Sequence, residues 1–175
     1  MTFPLVVRPP AGVITYSPSA ISGATGSNIG DMTAGGGLAA AFDSTTSQSQ
    51  GTSAGKENST SAYVGKSYSP AKRIYKSISY GSNNQGYIVT LNSANTHIQL
   101  YAKTGSAPSS DTDGTLLGSV TITDTANESG NPREATSSDF ATAWDHVWIR
   151  VTRDSAASTD DWRVAEVTFY EAIPS

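Results

Sequence analysis

The sequence predicts an all-β protein, namely a jelly-roll β-sandwich with an extended N-terminal arm. Short segments in which apolar and polar residues alternate recur along the chain, and stretches rich in Gly, Ser, Asn and Asp separate them. Only residues 38–43 (LAAAFD) have the alanine content that favours a helical turn. Many short strands with polar links and almost no helix are typical of a sandwich or jelly roll. A chain of 175 residues is long enough to bury roughly 70% of its unfolded surface around one core.

The first 21 residues are expected to form the arm, and residues 22–175 the β-sandwich domain. Prolines at positions 4, 9, 10 and 18 each lack a backbone donor and fix φ, which keeps this segment out of any central strand. The segment nevertheless carries more apolar surface than a free tail should expose in water. Its apolar side chains are Phe3, Leu5, Val6, Val7, Val13, Ile14 and Tyr16. We therefore expect the arm to lie along a sheet edge or to insert into a neighbouring subunit or partner.

A glycine-rich loop over residues 22–37 leads into the helical turn. Residues 44–61 then consist almost wholly of Ser, Thr, Gln and Gly, with one Lys-Glu pair. Such a composition offers too little apolar surface to offset the entropy lost on ordering the chain. We expect a long surface loop here that buries nothing.

Six strand segments follow this loop. In residues 73–80 (RIYKSISY) the alternation places Ile74, Ile78 and Tyr80 on one face. In two later segments, HIQLYA and HVWIRV, alternate residues form a core face and an outer face. The predicted core residues of these two segments are Ile98, Leu100, Ala102, Val147, Ile149 and Val151, and the outer residues are His97, Gln99, Tyr101, His146, Trp148 and Arg150. The remaining strand segments are residues 87–91, 115–123 and 162–170.

Composition and charge exclude several classes of function. The formal net charge is -4. The protein therefore lacks the excess of basic residues with which nucleic-acid-binding domains displace the counterions of phosphate groups. The absence of cysteine excludes disulfides, thiolate zinc sites and cysteine nucleophiles. No stretch approaches the roughly 20 apolar residues that span a bilayer, and the start has prolines and an arginine within its apolar run instead of a signal peptide. We therefore expect neither nucleic-acid binding nor membrane insertion, and synthesis in the cytoplasm of the producing cell.

Two pairs of carboxylates lie in polar loops, Asp111 with Asp113 and Asp160 with Asp161. Such pairs are found as glycosidase acid and base, as calcium ligands, or as turn-forming residues. A glycosidase pair needs one carboxyl whose pKa is raised by an apolar pocket. Neither loop has the density of aromatic residues that suggests such a pocket, apart from Trp162. The turn role is favoured, and we do not expect an enzyme.

The histidines do not favour a catalytic relay either. His146 is adjacent to Asp145 on a predicted strand, so the two side chains are expected to point to opposite sides. No GxSxG nucleophile elbow is present. His146 is therefore interpreted as a solvated or packing residue of its strand.

Two loop clusters combine aromatic and polar side chains in the way that suits sugar rings and hydroxyls. The first cluster is Asn83, Asn84, Gln85 and Tyr87, and the second is Arg153, Asp161 and Trp162. The alternative is structural, because asparagine adopts left-handed turn conformations readily and tryptophan is usually mostly buried. Under that alternative Trp162 closes one end of the core.

The order of five motifs resembles the discoidin-type (F5/8 type C-like) galactose-binding-like family. The motifs are AAAFDS at residues 39–44, YVGKSYSPAKRI at 63–74, YGSNNQGY at 80–87, WDHVWIRV at 144–151 and RVAEVTFYE at 163–171. The resemblance covers roughly residues 35–171 and implies a jelly roll whose ligand meets loops at one end of the sandwich. Its motifs are structural, so they indicate the fold better than the ligand.

Some members of that family bind a structural calcium ion at the turn that corresponds to the AAAFDS motif, through backbone carbonyls and an acidic side chain. The resemblance therefore makes Asp43 a candidate calcium ligand, although Ser44 stands where a typical member has glycine. A calcium ion binds six or more oxygen ligands, and a single carboxylate supplies at most two of them. The alternative role for Asp43 is to cap the helical turn or to form the turn that follows.

The arm, the Ser/Thr/Gly-rich surface and the lack of a signal peptide also resemble virion-surface proteins of tailed bacteriophages, which lysis releases. The leading hypothesis is a non-catalytic carbohydrate-binding module on a virion surface (phage fibre, spike or capsid) that mediates host attachment. Its expected partners are a cell-surface glycan, other virion proteins through the arm, and further copies of itself in a homo-oligomer. The alternative is a purely architectural virion decoration or fibre-base protein without glycan binding.

Overall fold

The computed structural model describes residues 14–46, 49, 51–81, 95–123, 132–156 and 160–175, together with the backbone of residues 88–90. Within these residues the chain forms eleven strands and one short 3₁₀ helix. In chain order they are β1 (Tyr16–Ala20), β2 (Ser27–Gly30), β3 (Ala34–Gly35), the 3₁₀ helix (Leu38–Phe42), β4 (Ala54–Lys56), β5 (Ser61–Gly81), β6 (Ile88–Thr90), β7 (Thr96–Lys103), β8 (Thr115–Thr121), β9 (Arg133–Thr136), β10 (Ala143–Arg153) and β11 (Asp161–Pro174). No helix in this part of the chain is long and apolar enough to cross a membrane.

The strands form two sheets that share the long strand β5. In the first sheet the order is β3-β4-β11-β5, with β1 and β6 also paired to β11 and β9 paired to β5. In the second sheet β5 pairs with β2 and β10, and the order continues through β7 to β8. All pairs are antiparallel except β6 with β11. This arrangement confirms the predicted all-β jelly-roll sandwich.

The predicted inward and outward faces of β7 and β10 are confirmed. The six predicted core residues of these strands are all fully buried. Trp148 lies on the outer face, as expected, but it too is fully buried. Its indole N–H donates to the carbonyl of Asp111 at 2.8 Å, and its ring stacks on Tyr101. The loop over residues 104–114 therefore covers this part of the second sheet.

The predicted face of β5 is wrong for Ile78 and Tyr80. Ile74 is fully buried as expected, but Ser77 and Ser79 are fully buried while Ile78 and Tyr80 are only half-buried. The cause is an irregularity in the pairing with β11, where β5 carries one extra residue after Ile74. A bulge of this kind moves every later side chain to the other face.

The expectation that residues 44–61 bury nothing is also wrong. Ser53 and Ala54 are fully buried, and β4 pairs with β11 through this segment. Gly55 allows this polar segment to pair with β11, because any larger residue would collide with Arg163. A Cβ at position 55 would lie 1.6 Å from Nη1 of Arg163. The bare backbone of Gly55 lets the Arg163 guanidinium lie across it. The expected helical turn is present as the 3₁₀ helix.

The last part of the predicted arm forms an edge strand. β1 pairs with β11, with Pro18 opposite Ala172, and a proline is tolerated on an edge because no second neighbour needs its missing donor. The N–H of Ser175 donates to the carbonyl of Thr15 at 2.9 Å. The arm residues before Ile14 lie outside the described residues, so the proposed insertion of the arm stays a prediction.

Candidate functional site

One end of the sandwich gathers the boundaries of several strands. Thr152, near the end of β10, pairs with Ser61 at the start of β5 and with His97 near the start of β7. We call this region the loop end and define it as residues 57–60, 97, 153–154 and 160–162.

The second predicted ligand cluster, Arg153, Asp161 and Trp162, lies at the loop end. The first cluster, Asn83, Asn84, Gln85 and Tyr87, lies outside the described residues. The chain segments that flank it are described, however, since Gly81 pairs with Val164 and Ile88 pairs with Asp161. The described residues on either side of the first cluster thus pair with β11, the strand that carries Asp161 and Trp162.

Arg153 is held by a two-pronged ion pair. Its Nε donates to Oδ2 of Asp160 at 3.0 Å, and its Nη2 donates to Oδ1 at 2.7 Å. The Asp160 side chain is almost buried, whereas 29% of the Arg153 side chain is exposed. The carboxylate thus fixes the guanidinium in one orientation with one side toward solvent, which is a useful arrangement for binding an oxygen-rich ligand.

Asp161 and Trp162 hold the preceding loop in place. Oδ1 of Asp161 accepts the N–H of Asn58 at 3.1 Å, and the indole N–H of Trp162 donates to the carbonyl of Ser59 at 2.7 Å. Trp162 is fully buried, so the prediction that its ring stacks on a ligand is corrected here. The ring has no exposed face and closes the core, which was the structural alternative. Asp161 is half-buried and keeps its candidate role.

A histidine and an aspartate that were not among the predicted ligand residues also lie at the loop end. His97 Nε2 is 2.7 Å from Oδ1 of Asp154, and His97 Nδ1 is 3.0 Å from the hydroxyl of Thr121. The Asp154 side chain is 72% exposed. The only signal in the sequence was the outward position of His97 at the start of its strand, which did not reveal Asp154 as its neighbour.

A polar network extends from the loop end onto the outer face of the second sheet. Oδ2 of Asp111 accepts from the Ser61 hydroxyl at 2.6 Å and from Nε of Arg150 at 2.7 Å, and Nη1 of Arg150 donates to Gln99 at 2.7 Å. Burial by itself raises the pKa of Asp111, but the hydrogen bonds from Ser61 and Arg150 outweigh burial and lower it. Asp111 is therefore an ionised anchor for its loop.

Asp113 also has a lowered pKa, because Lys103 and Ser109 donate hydrogen bonds to it. It accepts the backbone N–H of Ser109 at 2.8 Å, which is the turn role that the sequence favoured. With lowered pKa values in both Asp111 and Asp113, this pair does not supply the raised pKa that a glycosidase general acid needs.

His146 contacts a serine and a carbonyl group. Its Nε2 is 2.9 Å from the carbonyl of Gly105, and its Nδ1 is 2.7 Å from the hydroxyl of Ser67. Because a carbonyl only accepts, Nε2 carries a proton, and in the neutral imidazole Nδ1 then accepts from the Ser67 hydroxyl. Asp145 instead accepts the N–H of Gly105 at 2.7 Å. Asp145 and His146 thus both contact Gly105, and the pairing of β10 with β5 is irregular between Trp144 and His146, so their expected divergence stays a prediction. The carboxylate of Asp145 binds a backbone N–H and does not orient the imidazole for a catalytic relay.

Asp43 lies at the C-terminal end of the 3₁₀ helix and forms a turn. Its Oδ1 accepts the N–H of Thr45 at 2.9 Å. The N–H of Ser44 donates to Oε2 of Glu166 at 2.9 Å. In the described part of the chain, no group of three or more His, Asp or Glu side chains is placed to hold a metal ion.

Comparison with solved structures identifies similar folds, whereas no protein-family model and no curated protein matches the sequence. A fucose-binding module of Streptococcus pneumoniae, SpX-3, superposes with a TM-score of 0.53 at 15% identity, covering 83% of this chain and 93% of that module. The family 32 carbohydrate-binding module of C. perfringens NanJ, solved with galactose, gives a TM-score of 0.58 at 14% identity, covering 89% of this chain and all of that one.

A third similar structure is the serum fucolectin of striped bass, Morone saxatilis. It gives a TM-score of 0.62 at 13% identity, and the match covers 90% of this chain but half of the fucolectin chain. At sequence identities this low, the similarity to these structures shows the fold alone. The chain therefore shares the β-sandwich fold of these structures, in agreement with the fold that its sequence predicted.

Proposed function

We propose that this domain is a non-catalytic carbohydrate-binding module whose ligand site is the loop end. The observation that carries the proposal is the set of partly exposed polar side chains that protein contacts hold in fixed orientations there, namely Arg153, His97, Asp154 and Asp161. Sugar hydroxyls both donate and accept hydrogen bonds, so a mixture of guanidinium, imidazole and carboxylate groups matches them. Groups held in place before binding lose less entropy when the ligand arrives.

The first predicted cluster belongs to the same proposed site. The flanks of that segment, Gly81 and Ile88, pair with the first residues of β11. We propose that Asn83, Asn84 and Gln85 add amide groups and that Tyr87 offers an aromatic ring for the apolar side of a sugar. One structural neighbour is a fucose-binding module and another was solved with galactose, which supports a small neutral sugar as the first ligand to test.

We further propose that the module acts on a virion surface, where many copies attach to a host-cell glycan. Multiple copies convert weak binding at single sites into useful avidity. The N-terminal arm then joins the module to other virion proteins or to further copies of itself. The support is the edge strand β1, through which the last part of the arm pairs with β11, and the resemblance of the sequence to tailed-phage surface proteins.

A purely architectural role remains the second candidate, and one observation favours it. Ile14, where the arm leaves the sandwich, is 63% exposed, and Ile173 on the neighbouring strand β11 is 40% exposed. Exposed apolar side chains at this edge of the sandwich suit attachment to another protein.

A glycan array with multivalently displayed protein separates these two functions. We expect wild-type protein to bind a defined set of neutral glycans, and Arg153→Ala to reduce binding by roughly tenfold, about the effect of one lost charge-assisted hydrogen bond. Arg73→Ala is the matched control, because Arg73 is exposed and donates to the carbonyl of Ala141. Wild-type protein that binds no glycan in multivalent form contradicts the carbohydrate-binding function and leaves the architectural one.

A further inference from the structure

The early turn, residues 43–45, joins the end of the 3₁₀ helix to strand β11. Glu166 of β11 is only 5% exposed, and its Oε2 accepts the N–H of Ser44. The backbone N–H groups of Asp43 and Thr45 also favour the charged form of Glu166. Two carboxylates, Asp43 and Glu166, therefore lie close together where the resemblance to the discoidin-type family implies calcium.

The residues at this turn do not fit a calcium ion. Calcium collects six or more oxygen ligands, whereas the backbone around Glu166 presents N–H groups to the carboxylate. Asp43 uses Oδ1 to accept the N–H of Thr45. As noted above, the described residues contain no group of three or more acidic or histidine side chains that suits a metal.

A positive charge of a different kind is buried beside the turn. Lys66 of β5 is 4% exposed, and its Nζ donates to the carbonyl of Gly23. The same Nζ lies 4.3 Å from the centre of the Phe42 ring, in the last position of the 3₁₀ helix. Burial lowers the pKa of Lys66, and the negative charge of Glu166 opposes that shift. Burial of an ammonium group is costly unless such partners compensate.

We infer that the ammonium group of Lys66 takes the place of a metal ion at the early turn and makes the domain independent of calcium. A calcium ion joins chain segments because carbonyl and carboxylate oxygens gather around it. Lys66 joins the corresponding segments by donating to Gly23, facing the ring of Phe42 and balancing the charge of Glu166. The loop before β2, the 3₁₀ helix and β11 are thereby held against β5 without a bound ion.

Thermal unfolding of the full chain with added calcium and after chelation with EGTA tests this inference. We expect equal melting temperatures in the two conditions, and no calcium binding by isothermal titration calorimetry. A melting temperature that falls on chelation, together with calcium binding to wild-type protein, overturns the inference. These measurements use wild-type protein, so they decide the matter even when a lysine variant does not fold.

Substitution of Lys66 gives the second arm of the test. We expect Lys66→Met to lower the melting temperature by several degrees, since Glu166 then loses the balancing charge and Gly23 loses its donor. Lys76→Met is the matched control, because Lys76 lies on the same strand, 5.2 Å from the ring of Tyr170 and paired to Glu134, but nearer the surface. Equal melting temperatures for the two variants would mean that Lys66 does not hold the turn.

Discussion

The loop end and the early turn hold their charges in different ways. At the loop end the partly exposed guanidinium of Arg153 pairs with the almost buried Asp160 at 2.7 Å, and the imidazole of His97 contacts the exposed Asp154 at 2.7 Å. At the early turn Lys66 is buried, and its ammonium group donates to a backbone carbonyl of another segment, that of Gly23. Glu166 is bound in the same manner, through the N–H of Ser44.

This difference distinguishes residues that are available to bind a ligand from residues that stabilise the folded domain. A contact between exposed side chains, such as that of His97 with Asp154, contributes little to folding, and the partly exposed groups of the loop end remain accessible to the hydroxyls of a ligand. A buried charge that satisfies backbone groups is costly to remove, because its partners stay buried without it. Variants at the loop end should therefore reduce binding, and variants at the early turn should reduce stability.

Trp162 is the exception at the loop end and should give the largest effect. We expect Trp162→Ala to lower the free energy of unfolding by about 3–5 kcal/mol, because it leaves a cavity in the core. Trp162→Phe keeps most of the packing but leaves the Ser59 carbonyl without its donor, so a loss of about 1–3 kcal/mol is expected. Urea unfolding followed by circular dichroism measures both values.

Trp144→Phe is the control for the hydrogen bond of Trp162. Trp144 is also buried, but its indole N–H has no hydrogen-bond partner in the described part of the chain. Trp144→Phe should therefore cost less than Trp162→Phe. A Trp162→Ala variant that keeps wild-type stability but loses glycan binding would restore the ligand role that the sequence suggested.

Glu166 should make stability depend on pH. Burial raises the pKa of Glu166 from 4.5 to about 7, with Asp43 adding to the rise and the N–H groups of the turn opposing it. Between these values the folded protein binds more protons than the unfolded chain, so stability falls as pH rises through this range and is level above it. The expected loss is on the order of 1.4 kcal/mol for each unit of pKa difference.

Melting curves of wild-type, Glu166→Gln and Glu134→Gln proteins across this pH range test that expectation. The amide of Glu166→Gln does not titrate, so the fall in melting temperature should disappear in this variant. Glu134 is more exposed and lies on β9, and the fall should persist in Glu134→Gln. A fall of equal size in all three proteins would assign it to other groups.

Asp154→Asn should give the smallest change in stability. The Asp154 side chain is 72% exposed in its contact with His97, and surface pairs of this kind are worth about 0–1 kcal/mol. Glycan affinity should fall several-fold, since the variant loses a charged acceptor at the proposed site. A change in unfolding free energy without any change in glycan affinity would place Asp154 among the residues that serve folding alone.

The strands were predictable where alternation is regular and both faces differ in polarity. β7 and β10 satisfy that condition, and their core residues follow the pattern. β5 does not, because one extra residue after Ile74 reverses the faces of Ser77 and Ile78. β4 was not predicted, because its residues Ala54 and Gly55 are small and pair with β11 through their backbones. Such residues produce no alternating hydrophobic pattern in the sequence.

The candidate site was predictable in position but not in the roles of its residues. The motifs placed ligand loops at one end of the sandwich, and Arg153 and Asp161 lie there. Trp162 was misassigned because the sequence does not reveal whether an aromatic ring at a strand start faces the core or the solvent. The buried charge of Lys66 was also missed, since lysine is rarely buried and its partners Gly23 and Phe42 are distant in sequence.

Glycan binding at the loop end is tested most directly by ¹H–¹⁵N NMR during titration of the full chain with a sugar that the array identifies. We expect the largest shifts at the backbone amides of His97, Arg153, Asp154 and Asp161, and little change at Ser44 and Glu166 of the early turn. Shifts centred on the early turn, or on the outer face of the second sheet around Gln99, would contradict the assignment of the site.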